Sequence, residues 1–151
     1  MPIFNPDGYE YSRTTDRMWR KSRSGECTAK QTKCCIGVDL NRNFDVGFGG
    51  PDSSSRPCAE NYRGPEPFSE PETVAVRNFI QNNPSILAYF ALHTYELVTG
   101  TAPDWVKSNT NIRFSYTIEM RPLEDDKDGF VLDPSEILPA GEELSLVDST
   151  L

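Results

Sequence analysis

The chain has 151 residues, with 15 Lys and Arg against 23 Asp and Glu and a formal net charge of −8. This length suits one domain that hides roughly two-thirds of its surface. No apolar run approaches the roughly 18 residues of a membrane span, and an acidic chain with no basic block is a poor partner for nucleic acid.

The single histidine excludes a His-rich metal site or a two-histidine mechanism built from this chain alone. The first residues show no signal peptide. Asn5-Pro6-Asp7-Gly8 reads as a turn, and residues 9–26 have neither helical nor strand period. The four cysteines, Cys27, Cys34, Cys35 and Cys58, allow three pairings and point to an oxidising compartment. Their spacing lacks the paired C-x-x-C arms of a zinc cluster. Adjacent cysteines rarely pair with each other, so one long bridge to Cys58 and one short bridge from Cys27 are expected. The long bridge contributes about 3 kcal/mol in the loop-entropy view.

Residues 35–40 alternate briefly and lead into Asn41-Arg42-Asn43-Phe44, and residues 46–57 read as loop. Ser69 and Glu72 have the spacing of a capping box, with Pro71 tolerated in the first turn. Val76, Phe79 and Ile80 continue at helical spacing until Asn83-Pro84, which predicts a helix from Glu70 to about Asn82. The apolar run Ile86–Leu92 predicts a strand buried on both faces. Ile112–Met120 alternates as a second strand. Strand, helix and strand together favour an α/β layer. Beyond Leu138 the chain is acidic and loses its period.

Two polar residues stand at strand ends, where open α/β sheets bind ligands. His93 follows the apolar run and Glu119 lies near the end of the second strand. The bland alternatives are a structural histidine and a surface Glu119 paired with Arg113 or Arg121.

Several segments carry a wider resemblance. They are N-P-D-G-Y at 5–9, M-W-R-K-S-R-S at 18–24, C-I-G-V-D-L-N-R-N-F-D at 35–45, G-F-G-G at 47–50, P-C-A-E-N-Y-R-G-P at 57–65 and S-E-P-E-T at 69–73. L-H-T-Y at 92–95, D-W at 104–105, Y-T-I-E-M-R at 116–121 and G-F-V-L-D-P-S-E-I-L-P at 129–139 follow. In this order they resemble the zinc metallocarboxypeptidases of the carboxypeptidase A and B type, collinearly over most of residues 2–143.

The resemblance implies a role for each matched residue. His93 resembles a zinc ligand, and zinc is the implied cofactor. Glu119 resembles the general base that takes a proton from water and passes it to the leaving amine. Arg23 resembles the cation that stabilises the developing oxyanion, and Arg20 a second contact along the substrate. Asn41 and Arg42 resemble the clamp on the substrate's free carboxylate, a task suited to the planar guanidinium fork. Tyr95 resembles either the tyrosine after the zinc histidine or the mobile tyrosine that caps the substrate. Pro103, at a position that helps line the specificity pocket, implies apolar or aromatic C-terminal residues because it carries no charge. Cys35 and Cys58 occupy the family's disulfide positions, leaving Cys27 and Cys34 as an additional pair. The implied partners are peptide or protein C-termini, with no nucleic acid or membrane, and the implied location is extracellular.

The expected fold is a partial mixed-sheet α/β/α metallocarboxypeptidase domain over residues 1–143, truncated at the front and with an internal deletion. Residues 144–151 are expected to form a disordered or non-native tail. The family's H-x-x-E zinc motif is absent, so His93 is the one family ligand of three. The expected function is that of a zinc exopeptidase removing C-terminal residues, with this chain inactive alone. The competing readings are a non-catalytic remnant that binds peptide C-termini and a non-functional truncated product. With the preceding family strands missing, unpaired edges and exposed apolar surface are also expected.

Overall fold

The computed structural model describes residues 3–27, 34–94, 101–120 and 134–148. The chain divides into two compact units, one of Met1–Tyr89 with Val98–Ser115, the other of Phe90–Leu97 with Tyr116–Leu151. It is a partial α/β fold, as the sequence leads one to expect.

The first unit opens with a helix where the sequence suggests only a turn. Helix α1 spans Pro6–Thr14. Asn5 caps it by accepting from the Gly8 N–H at 3.0 Å, and Pro6 stands in the first turn, where its missing N–H costs nothing. Asn-Pro-Asp-Gly is therefore a helix start, and its capping chemistry outweighs the weak periodicity of the residues that follow. Asn5 also donates to the carbonyls of Arg20 and Lys21 at 3.2 and 2.9 Å, so the cap ties α1 to the arginine-bearing segment.

Helix α2 spans Pro71–Asn82, close to the expected bounds. The Ser69–Glu72 capping box does not form. The cap position falls to Glu70, which makes no side-chain capping bond. Ser69 Oγ is occupied elsewhere, donating to Glu70 Oε1 at 3.0 Å and accepting from Asn43 Nδ2 at 2.9 Å. Glu72 is left with a buried carboxylate oxygen, Oε2, that has no hydrogen-bond partner among the described residues. Burial, with Glu70 and Asp7 nearby, pushes its carboxyl above the usual range.

Helix α3, Ala102–Asn109, is not anticipated by periodicity. Its signal is a capping box: Asp104 N–H donates to Thr101 Oγ1, and the Thr101 N–H donates to Asp104 Oδ2 at 3.2 Å. Trp105 and Val106 then enter the core, where Phe44, Val76, Ile80, Ala102 and Ile112 are also buried. Phe44 and Trp105 are 0% and 2% exposed, and each large apolar side chain hidden in this way contributes about 1.5–3 kcal/mol. Phe68 closes the cluster with its ring edge-on to Trp105 at 5.8 Å.

Asn43 is the polar hub of this unit. It is fully buried. Its Nδ2 donates to the Arg63 and Glu66 carbonyls and to Ser69 Oγ. Its Oδ1 accepts from the Glu70 N–H and Thr73 Oγ1. Gly64, at φ +87°, lets the backbone pass this hub; a Cβ there would lie 2.8 Å from Asn43 Nδ2. Both disulfides are present, Cys35–Cys58 and Cys27–Cys34, with Cα separations of 4.7 and 5.3 Å.

Strands β1, Ala88–Thr94, and β2, Phe114–Met120, form a two-stranded parallel sheet. The sequence reading has β1 buried on both faces. Instead Phe90 is 39% and Leu92 48% exposed. A continuous apolar run shows what a strand is suited to lie against, not what is present to cover it. In the second unit a short 3₁₀ turn at Pro134–Glu136 leads into α4, Ile137–Asp148, so the aperiodic acidic stretch after Leu138 is helical.

Candidate substrate-binding site

Two arginines of the first unit meet one buried carboxylate. Asp39 is 2% exposed. Its Oδ2 accepts from Arg20 Nε at 3.0 Å and lies 3.8 Å from Arg42 Nη1. Its Oδ1 accepts from the Asn41 N–H at 3.1 Å, which starts a 3₁₀ turn over Leu40–Arg42. One acid thus orients two arginines and the backbone of the Asn41-Arg42 pair. The sequence reading does not single out Asp39, although the acid two residues before Asn41 in G-V-D-L-N-R was its signal.

The residues expected to bind substrate are held in different ways. Arg20 keeps 32% of its side chain exposed beyond the Asp39 contact. Arg42 is 2% exposed, and its Nε and Nη1 donate to the Asp52 and Asn41 carbonyls, both at 3.1 Å. Arg42 therefore braces the loop that follows it as well as facing Asp39. Asn41 Oδ1 accepts from the Ala102 N–H at 3.3 Å, which joins the turn to the start of α3. Arg23 is half-buried, with its guanidinium carbon 3.6 Å over the Tyr11 ring and 4.5 Å over that of Trp19. Pro103 is buried in the first turn of α3, and its carbonyl accepts from Ser115 Oγ at 3.1 Å. Tyr95 lies outside the described residues.

Lys21, between the two arginines, is 3% exposed, and its Nζ donates to the Pro57 carbonyl at 2.8 Å, beside the Cys35–Cys58 bridge. Burial lowers its pKa, while Glu60 and Asp39 act against the shift. Together with Arg42 it anchors the 50–58 loop from beneath.

The second unit carries the other two candidates. Phe90 stacks on Tyr116 with ring centroids 6.1 Å apart. In a parallel pair this register sets His93 beside Glu119, each three residues further along its strand. Side chains alternate, so both stand on the face opposite the stacked rings, on strands about 4.8 Å apart. His93 is half-buried and Glu119 exposed. An imidazole beside a carboxylate suits proton transfer or shared ligation. Among the described residues, however, no three His, Cys, Asp or Glu side chains gather where they could hold a metal ion. With one histidine in the chain, the residues present do not fit a zinc site of the expected kind.

A family model, zinc carboxypeptidase, matches residues 1–99 and 95–146. The chain belongs to the zinc carboxypeptidase family. Rat carboxypeptidase A2 is 47% identical over 95 residues, covering 63% of this chain and 22% of the relative. Rat carboxypeptidase A1 is 30% identical over 203 positions, covering 99% of this chain and 47% of the relative. That alignment is longer than the 151-residue chain, so a block of the relative has no counterpart here. The two family-model matches meet at residues 95–99, between the L-H-T-Y and D-W segments. A structure of bovine thrombin-activatable fibrinolysis inhibitor, in complex with tick carboxypeptidase inhibitor, aligns with a TM-score of 0.82 at 31% identity. It covers 95% of this chain and 64% of that one. The chain spans less than half the length of both rat relatives.

Proposed function

We propose that this chain carries the peptide-recognising part of an extracellular zinc carboxypeptidase that removes apolar or aromatic C-terminal residues. By itself it binds peptide C-termini without hydrolysing them. The observation that carries this reading is the buried Asp39, which prepositions Arg20, Asn41 and Arg42 from within. A buried acid that orients two cations in a chain of net charge −8 is a built anion-recognition feature, not solvated surface charge. Arg20 and Arg23 supply cations towards the scissile carbonyl, Asn41 serves the terminal carboxylate with the buried Arg42 bracing its turn and the following loop, and Pro103 leaves the specificity position uncharged. His93 and Glu119 stand for the metal and proton-transfer side of the reaction. A zinc site fixes a catalytic geometry with three protein ligands, and His93 alone does not supply them.

The test is hydrolysis of a chromogenic peptide ending in phenylalanine by the purified chain with added zinc. No release above the zinc-only control is expected. Chelator-sensitive release of phenylalanine would overturn the claim that these residues do not suffice for catalysis.

A further inference from the structure

We propose that Tyr11 and Trp19 are positioning residues that hold Arg23 ready for substrate. They hold its guanidinium in an aromatic corner and leave N–H donors for a bound peptide. This rests on the peptide-recognising function proposed above.

The two rings form a corner, with centroids 5.0 Å apart and planes at 73°. Arg23 fills it, its guanidinium carbon 3.6 Å over Tyr11 and 4.5 Å over Trp19. Both walls are fixed independently of Arg23. Trp19 Nε1 donates to the Lys21 carbonyl at 2.6 Å. Tyr11 lies on α1, whose capping residue Asn5 reaches the Arg20 and Lys21 carbonyls. The helix and the 19–23 segment are therefore joined through side chain–backbone bonds at the base of the corner.

The chemistry follows from how a guanidinium divides its contacts. Its face interacts with aromatic rings while its donors point outward in the plane, where a carboxylate or a polarised carbonyl meets them. A carboxylate partner such as the one Asp39 gives Arg20 would occupy some of those donors. An aromatic corner holds the group without any carboxylate partner. Among the described residues the Arg23 guanidinium makes no hydrogen bond, so its fork is open to ligand oxygens. Arg20 and Arg23 are thus held by two different devices, one ionic and one aromatic.

The test is equilibrium binding of N-benzoylglycyl-phenylalanine to the purified full chain and its variants, with far-ultraviolet circular dichroism as the check that the chain stays folded. Tyr11→Leu and Trp19→Leu are expected to weaken binding about tenfold, and Tyr11→Phe, which keeps the ring, to stay within about twofold. In an Arg23→Ala background Tyr11→Leu should cost nothing further, because a positioning residue acts only through the group it positions. An equal loss with and without Arg23, or wild-type affinity in Tyr11→Leu, overturns the inference while leaving the functional reading intact. Failure of the wild-type chain to bind the peptide overturns that reading and takes this inference with it.

Discussion

Arg20 and Asp39 meet at 3.0 Å with the acid buried and the arginine one-third exposed. That asymmetry is the organising feature of the first unit. The carboxylate is held inside by contacts to Arg20, Arg42 and the Asn41 N–H, so each cation is oriented before any ligand arrives. Preorganised charge is what a recognition site needs, since reorientation at the moment of binding subtracts from affinity.

Removing the acid should therefore do more than weaken one contact. Asp39→Ala removes the carboxylate that faces Arg42, which is 2% exposed. The expected loss is about 3–5 kcal/mol, read as a lower urea midpoint by tryptophan fluorescence. A midpoint within error of the wild type would show that the carboxylate is not structural.

Tyr89 predicts a pH dependence. It packs against the first unit's core, and burial pushes its hydroxyl up to about 12. An unfolded tyrosine ionises near 10. The folded pKa is the higher of the two, so the contribution to stability is complete below about pH 10 and is lost as pH rises towards 12. Unfolding followed from pH 9 to pH 12 should show that decline, and Tyr89→Phe should flatten it. An identical slope in the variant would assign the decline to other groups.

Much of this arrangement is legible in the sequence, and the gaps have physical causes. The bounds of α2 and the positions of both strands follow from helical spacing, proline and alternation, because in these segments local pattern and tertiary burial agree. Helices α1 and α3 start from Asn5 and Thr101 capping rather than from apolar stripes, so periodicity passes over them. The capping box expected at Ser69 and Glu72 fails because Ser69 has a stronger engagement with Asn43 and Glu70. The roles proposed for Arg20 and Arg42 come from the family resemblance. Their dependence on Asp39 does not, since nothing local marks one aspartate among many as buried. The Tyr11–Trp19 corner around Arg23 needs the helix that the sequence reading missed.

The uncovered face of the sheet gives a further expectation. Phe90, Leu92 and Tyr116 are 39%, 48% and 47% exposed, an apolar surface of the kind that drives association. Leu92→Lys should raise the concentration at which the chain begins to scatter light, without moving the tryptophan fluorescence. Unchanged scattering would place the source of association elsewhere.

The central claim is that the first unit recognises a peptide's free C-terminus through cations held in advance. The direct measurement is calorimetric titration of the chain, without added zinc, with N-benzoylglycyl-phenylalanine and with its C-terminal amide at low and moderate salt. The predicted result is binding of the acid at least about tenfold tighter than the amide, with the difference shrinking as salt rises. Equal affinity for acid and amide, or binding of neither, would contradict the account.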